Sequence, residues 1–222
     1  GPSVIDYEYH FTIRALFNGF KLRFDKLSAL LYVDRRGAPE NTQMGVFDTS
    51  KKIDFLYALC KFSPKTTADI LLTEVNWPLA NTAPWAPTSE TECVDEDTYS
   101  NYMLRFYCLA LASGKVEAVY WHQLIAPGYG LIDSREGVRK RAAFYVFKQM
   151  LAMLQSASVE KFSLHDNIYR LVCRKEGRQI EVLWLNSDTP LRYLSSHLVL
   201  DKMGQKIAGD IYLSQSPIYV LH

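Results

Sequence analysis

A change of hydrophobic period near residue 157 constrains this chain more than any other feature. Before it, short apolar runs alternate with amphipathic stretches of helical spacing; after it, apolar and polar residues alternate with a period of two. The first pattern folds as βα units around a parallel sheet, and the second as antiparallel strands joined by turns. The expected fold class is α/β: βα units over residues 1–156, then a small antiparallel β-sandwich domain over residues 157–222. No internal repeat and no low-complexity tract disturbs this division.

The runs place the elements. Residues 4–7 are a short β-rich run, followed by an amphipathic stretch near residues 12–20. Residues 26–33 (KLSALLYV) read as a strand that ends in a polar loop, residues 34–41. A helix is predicted over residues 50–62, with Ile53, Leu56, Tyr57 and Cys60 on one face and Pro64 as its stop. Residues 69–75 (DILLTEV) form the next strand, and residues 76–97 a long loop holding Trp77 and Trp85, large aromatics that pack or bind rather than mark disorder. A largely buried helix over 97–113, capped by Gly114, leads to a strand over 116–121. After a loop with Gly128, Tyr129 and Gly130, a helix over about 139–155 carries Phe144, Phe147, Met150, Leu151 and Leu154 on one stripe. Beyond it, residues 168–174, 179–185, 194–200, 210–213 and 217–221 read as strands, with turns at residues 175–177 and 186–190.

Composition narrows the classes of function. Lys and Arg total 25 against 24 Asp and Glu, so no basic excess draws the chain to nucleic acid or to an anionic membrane. No run approaches the ~18 apolar residues of a membrane span, and no signal peptide is visible at the start. Cys60, Cys93, Cys108 and Cys173 form no close pair, so zinc and redox motifs are not indicated and no metal or cofactor is expected. Motifs of serine hydrolases, nucleotide hydrolases and dinucleotide-binding folds are missing from the sequence. Aromatic residues reach 13%, which suits either a cleft lined by rings with polar tips or a Tyr-rich core and strand surface.

In parallel α/β folds chemistry gathers at the carboxyl ends of the strands. Those ends supply Asp6 and Glu8; Tyr32, Asp34 and Arg35; Glu74, Asn76 and Trp77; and Trp121, His122 and Gln123. A carboxylate leaving a buried strand beside Asn and Trp suits covalent attack on an anomeric carbon, with polar neighbours on the sugar hydroxyls and indoles on the sugar face. A strand-end carboxylate paired with Arg is the structural alternative for Glu74. His122 reads as a general base, a metal ligand, or a hydrogen-bonded core or substrate contact. Asp34 and Arg35 suit either an acidic ligand or a loop salt bridge. Glu90, Glu92, Asp95, Glu96 and Asp97 read as a solvated loop whose last members favour the following helix N-terminus.

The succession GPSVIDYE, LLYVDRR, ILLTEVNWP, VYWHQLIAPGYGLID, IEVLWLN and SPIYVLH, spread over nearly the whole chain, resembles the C-terminal half of retaining glycoside hydrolases. The likeness is to the large (β/α)8-barrel clan, particularly the β-xylosidases and α-L-iduronidases, which carry a β-sandwich after the barrel. It implies a partial TIM barrel whose strands match the fifth to eighth of the full one. By the same resemblance Glu74 matches the nucleophile, Trp121 the aromatic floor of the sugar site, and Tyr32 an aromatic facing nucleophile or substrate. The clan's acid/base Glu follows an Asn on the fourth strand, which has no counterpart here. Retaining chemistry needs two carboxyls ~5–5.5 Å apart, and Glu8 is the nearby candidate for the second.

A full barrel needs about 250 residues, so the chain reads as half an enzyme: a piece of a longer protein, a natural truncation, or a half-barrel whose homodimer covers its open edges. The expectations for function are accordingly a retaining glycosidase acting on oligo- or polysaccharide through Glu74, or a noncatalytic glycan- or partner-binding remnant of one. A cytoplasmic location would follow only if Gly1 lies near the true start.

Overall fold

The computed structural model of the chain describes residues 3–5, 13–14, 16–17, 23–33, 37–42, 45, 47–63, 69–86 and 88–222. The chain divides into two compact units, Gly1–Cys93 with Leu109–Gly130, and Val94–Cys108 with Leu131–His222. Residues 94–108 and 131–155 belong to the same unit as the antiparallel strands.

In the first unit the alternating runs form a four-stranded sheet in the order β1 (Ser3–Ile5), β2 (Lys26–Leu30), β3 (Asp69–Glu74), β4 (Val116–Val119), and every pairing is parallel. Sequential order with all strands parallel requires a crossover between each pair of neighbours. Helix α1 (Thr49–Phe62) connects β2 to β3, and α2 (Glu96–Ser113) connects β3 to β4. The Asp48 carboxylate caps α1 by accepting from the Lys51 amide at 2.8 Å. Helix α2 begins where the Asp95 carboxylate accepts from the Thr98 amide at 2.8 Å, and Glu96 and Asp97 sit favourably in its first turn. Its residues from Leu109 onward belong to the first unit and those up to Cys108 to the second. Leu27, Ala29, Ile70 and Leu72 of the sheet and Ile53, Leu56 and Cys60 of α1 are buried in the core.

In the second unit β5 (Ile132–Asp133) and β6 (Arg139–Lys140) form a hairpin before α3 (Ala142–Leu154). This shortens the helix expected from residue 139, because Arg139 and Arg141 are held at the hairpin instead. The buried Asp133 carboxylate accepts from Arg135 at 2.9 Å and from Arg139 at 3.2 Å, and lies 3.1 Å from Arg141 Nη2. Arg141 is itself buried and also meets Glu96 at 3.3 Å.

The remaining strands are β7 (Ser158–His165), β8 (Ile168–Lys175), β9 (Arg178–Leu185), β10 (Leu191–Tyr193), β11 (Leu198–Leu200), β12 (Ile211–Leu213) and β13 (Ile218–Leu221). An antiparallel five-stranded sheet runs β11-β13-β9-β8-β7, and β10 pairs separately with β12. Asp166 and Asn167, then Glu176 and Gly177, adopt positive φ at the two tight hairpins, as primed turns require. Leu183 and Leu185 of β9, Ile218 and Val220 of β13 and Val199 of β11 pack with Leu213 of β12 in one apolar cluster. Trp184 is buried and stacks on Tyr169 with centroids 5.0 Å apart. Strand β7 was not legible in the sequence, because it is an edge strand with polar residues on both faces and Phe162 only half-buried.

Among the described residues no helix is long and apolar enough to cross a membrane, and no group of three or more His, Cys, Asp or Glu is placed to hold a metal ion.

Candidate functional site

The carboxyl ends of β2, β3 and β4 converge, and one irregularity decides which way Glu74 faces. Along β2, Leu27, Ala29, Leu31 and Val33 are buried while Ser28, Leu30 and Tyr32 are half-buried, an unbroken period of two. On β3 the buried positions are Ile70 and Leu72, then Val75 rather than residue 74. The register explains the shift: Ala29 pairs with Leu72 but Leu30 pairs with Glu74, so Thr73 is an extra residue on β3. A bulge of this kind turns the following side chain to the opposite face. Without it Glu74 would continue the buried row of Ile70 and Leu72. With it Glu74 lies opposite Leu30, diagonal to Tyr32, and the Tyr32 hydroxyl donates to the Glu74 carboxylate.

Strand β4 brings the aromatic part. Its ladder continues past Val119, with the Tyr120 amide donating to Leu72 O at 2.8 Å and the His122 amide to Val75 O at 3.2 Å. This lays Trp121 and His122 beside the end of β3. Trp121 is half-buried and stacks on Trp77 with centroids 5.9 Å apart and an interplanar angle of 20°. His122 stacks on Tyr129 with centroids 5.5 Å apart.

The sequence-expected residues therefore separate into two groups. Glu74, Tyr32, Trp121 and His122 all come at the carboxyl end of the sheet with side chains that are not fully buried, and of these Tyr32 and Glu74 are hydrogen-bonded to one another. Trp77 is completely buried, and its indole N–H donates to Gly37 O at 2.9 Å, so it supports Trp121 from beneath instead of offering a face to sugar. Asn76 is buried too, and its amide donates to His122 O at 2.7 Å, fastening β3 to β4. The Gln123 amide turns back on its own loop, donating to Ile125 O at 3.0 Å. Glu8, Asp34 and Arg35 lie outside the described residues.

The structure adds residues that sequence reading passed over. Lys52 on α1 is buried, and its ammonium donates to Tyr32 O at 2.9 Å, holding the backbone from which the Tyr32 ring projects. The signal was its spacing, since Lys52 lies four residues before Leu56 on the apolar stripe of α1. Tyr129, read only as a loop residue, is the ring that flanks His122.

Gly128 joins the two loops behind this site. Its carbonyl accepts from the Leu79 amide at 2.8 Å, and a Cβ on it would stand 2.1 Å from Trp85 O and 2.7 Å from the Ala86 amide nitrogen. Both are backbone atoms that no rotamer change can move aside. Gly128→Ala is expected to destabilise the chain by about 1–3 kcal/mol, as overpacking does, measured as a lower urea midpoint at unchanged m-value.

No family model matches the chain, and no curated protein matches it. Solved structures do. A family 39 glycoside hydrolase from the gut symbiont Bacteroides cellulosilyticus WH2 superimposes with a TM-score of 0.68 at 16% identity, over 89% of this chain and 44% of that protein. A GH30 endoxylanase from Clostridium papyrosolvens C71 gives 0.60 at 13% identity, over 100% of this chain and 55% of the other. A β-porphyranase of glycoside hydrolase family 86 from Bacteroides plebeius gives 0.52 at 12%, over 89% and 41%. The chain spans about half the length of these proteins or less. At such identities the likeness is one of fold: this chain is related in fold to the C-terminal half of glycoside hydrolases.

Proposed function

We propose that the chain is part of a retaining glycosidase, with residues 1–156 as half of a (β/α) barrel, residues 157–222 as a β-sandwich domain, and Glu74 as the nucleophile. One observation carries this reading: at the carboxyl end of β3 the Glu74 carboxylate accepts the Tyr32 hydroxyl, in a fold shared with glycoside hydrolases. In the first step a Glu74 oxygen bonds to the anomeric carbon as the glycosidic oxygen leaves with a proton from a general acid. In the second, that same group takes a proton back from water as the water oxygen bonds to the carbon and the carboxylate departs. Trp121, backed by Trp77, is the floor for the sugar, and His122 a contact beside it. The acid is Glu8 or a group supplied by further chain or a second copy.

The test removes the need for that acid. A 2,4-dinitrophenyl 2-deoxy-2-fluoroglycoside carries a leaving group that departs unprotonated, so a competent nucleophile is trapped as its glycosyl ester. A panel including xylosides and galactosides, followed by peptide mass mapping, is expected to place one sugar adduct on Glu74. A folded chain that takes no label from the panel is instead the noncatalytic glycan- or partner-binding remnant.

Tyr32→Phe tests the supporting hydrogen bond. The departing carboxylate loses a donor, so turnover of the glycosyl intermediate is expected to slow about tenfold or more, in line with the worth of a hydrogen bond to a charged group. Reactivation of the labelled enzyme, followed over time, checks it.

A further inference from the structure

Strand β3 carries one residue too many for both of its neighbours. Toward β2, Ala29 pairs with Leu72 and Leu30 with Glu74, so nothing on β2 stands opposite Thr73. Toward β4, the Tyr120 amide donates to Leu72 O at 2.8 Å and the His122 amide to Val75 O at 3.2 Å. Successive bonds of a regular parallel ladder advance two residues on each strand. Here β4 advances two while β3 advances three.

A surplus residue interrupts the ladder and persists only where something holds it. Part of the hold is the cost of the alternative. In the regular register Glu74 would continue the buried row of Ile70 and Leu72, and an ionised carboxylate sealed there would be expensive. That cost keeps Glu74 out of the core, but it does not fix where the carboxylate points.

The rest of the hold comes from Thr73. Its hydroxyl donates to Ala29 O at 3.3 Å, and just beyond it the Leu31 amide donates to Glu74 O at 3.1 Å. The backbone that carries Glu74 is thus tied to the β2 segment on either side of its Cα. From this tied position the carboxylate accepts the Tyr32 hydroxyl, three residues along the same segment from Ala29. Threonine suits the place, because its β-branched side chain favours a strand and its hydroxyl supplies a donor that valine, of the same shape, lacks.

We propose that Thr73 is a positioning residue for this site: its hydroxyl on Ala29 O fixes the bulge so that the Glu74 carboxylate is held against Tyr32. The proposal rests on the reading of Glu74 as nucleophile and names what aims it. Misplacing a reacting group by about 1 Å slows reaction by roughly 10²-fold, so the bond acts on rate and not on sugar affinity.

Thr73→Val keeps the shape and removes the donor, and Thr73→Ser keeps the donor. The first readout is labelling of the full chain by the 2,4-dinitrophenyl 2-deoxy-2-fluoroglycoside, resolved into a dissociation constant and a rate constant. Thr73→Val is expected to lower the rate constant about tenfold or more with the dissociation constant little changed, while Thr73→Ser keeps most of the rate. The second readout needs no reaction: the fall in urea midpoint caused by Tyr32→Phe, measured in the wild type and in the Thr73→Val background. If Thr73 holds Glu74 against Tyr32, that fall should be about half as large or less in the Thr73→Val background, because coupled residues do not add. Thr73→Ala takes the place of Thr73→Val in both readouts if the latter does not fold. Additive midpoints, or a labelling rate constant equal to that of the wild type, overturn the proposal and leave Thr73 a residue of strand packing only. A wild-type chain that takes no label overturns the nucleophile reading instead; coupled midpoints then still support the hold of Thr73 on Glu74, and additive ones remove it.

Discussion

Glu74→Gln is expected to take up no fluoroglycoside label and to lower hydrolysis of dinitrophenyl glycosides by roughly 10³-fold or more, the scale of losing a covalent nucleophile. The substitution keeps size and shape, and its amide oxygen still accepts from the Tyr32 hydroxyl, so the end of β3 should stay folded. What disappears is the negative oxygen that bonds to the anomeric carbon. A second variant, Glu74→Gly, opens a space that azide can occupy. Azide attacking from the vacated side should give a glycosyl azide of inverted anomeric configuration, identifiable by nuclear magnetic resonance. Turnover by Glu74→Gln close to that of the wild type would falsify the nucleophile assignment.

The largest effect expected on stability lies in the second unit. Asp133 is buried, and the Arg135 guanidinium above all, then the Arg135 amide, Arg139 and Arg141, hold its carboxyl well below the usual carboxylate range against the opposing effect of burial. Asp133→Asn removes the charge that faces Arg141, itself almost fully buried. Breaking a buried ion pair from one side leaves the other charge uncompensated, and because Glu96 remains beside Arg141 the loss should be about 3 kcal/mol, the lower end for such changes.

The pH dependence has a definite sign. The folded pKa of Asp133 lies below the unfolded value of about 3.9. Its stabilisation is therefore complete above that unfolded value and is lost as pH falls toward the folded one, because the unfolded chain takes up the proton first. The wild type should lose its advantage over Asp133→Asn progressively from about pH 5 downward. Urea midpoints for both chains at neutral pH and near pH 3 measure this. A constant difference between them across that range would show that Asp133 acts by shape and not by charge.

Much of the fold is legible from residue spacing. The helix at Thr49–Phe62 follows from Ile53, Leu56 and Cys60 recurring on one face, and the parallel strands follow from apolar runs set between such helices. The hairpin at Glu176 and Gly177 is marked in the sequence by Gly177, which takes positive φ without a steric penalty. The hairpin carrying Asp133 was missed, because strands of two residues leave no periodic trace and their cohesion comes from the arginines around the carboxylate. The start of α3 moved to Ala142 for the same reason.

The candidate site divides along a similar line. Local sequence determined that Tyr32, Glu74 and Trp121 come at the ends of neighbouring strands, since each ends an apolar run and such runs become strands by burying their side chains. It also determined that the last third alternates with period two and forms antiparallel strands. Only the tertiary structure decided that Thr73 is an extra residue in the β2–β3 pairing and that Glu74 consequently turns toward Tyr32. Register belongs to two strands at once, so no single run contains it. The tertiary structure likewise separated Trp77, sealed beneath Trp121, from Trp85, left facing water. Both are tryptophans of one loop, and the indole of the first is fastened to the distant Gly37 carbonyl, a contact that no local pattern announces.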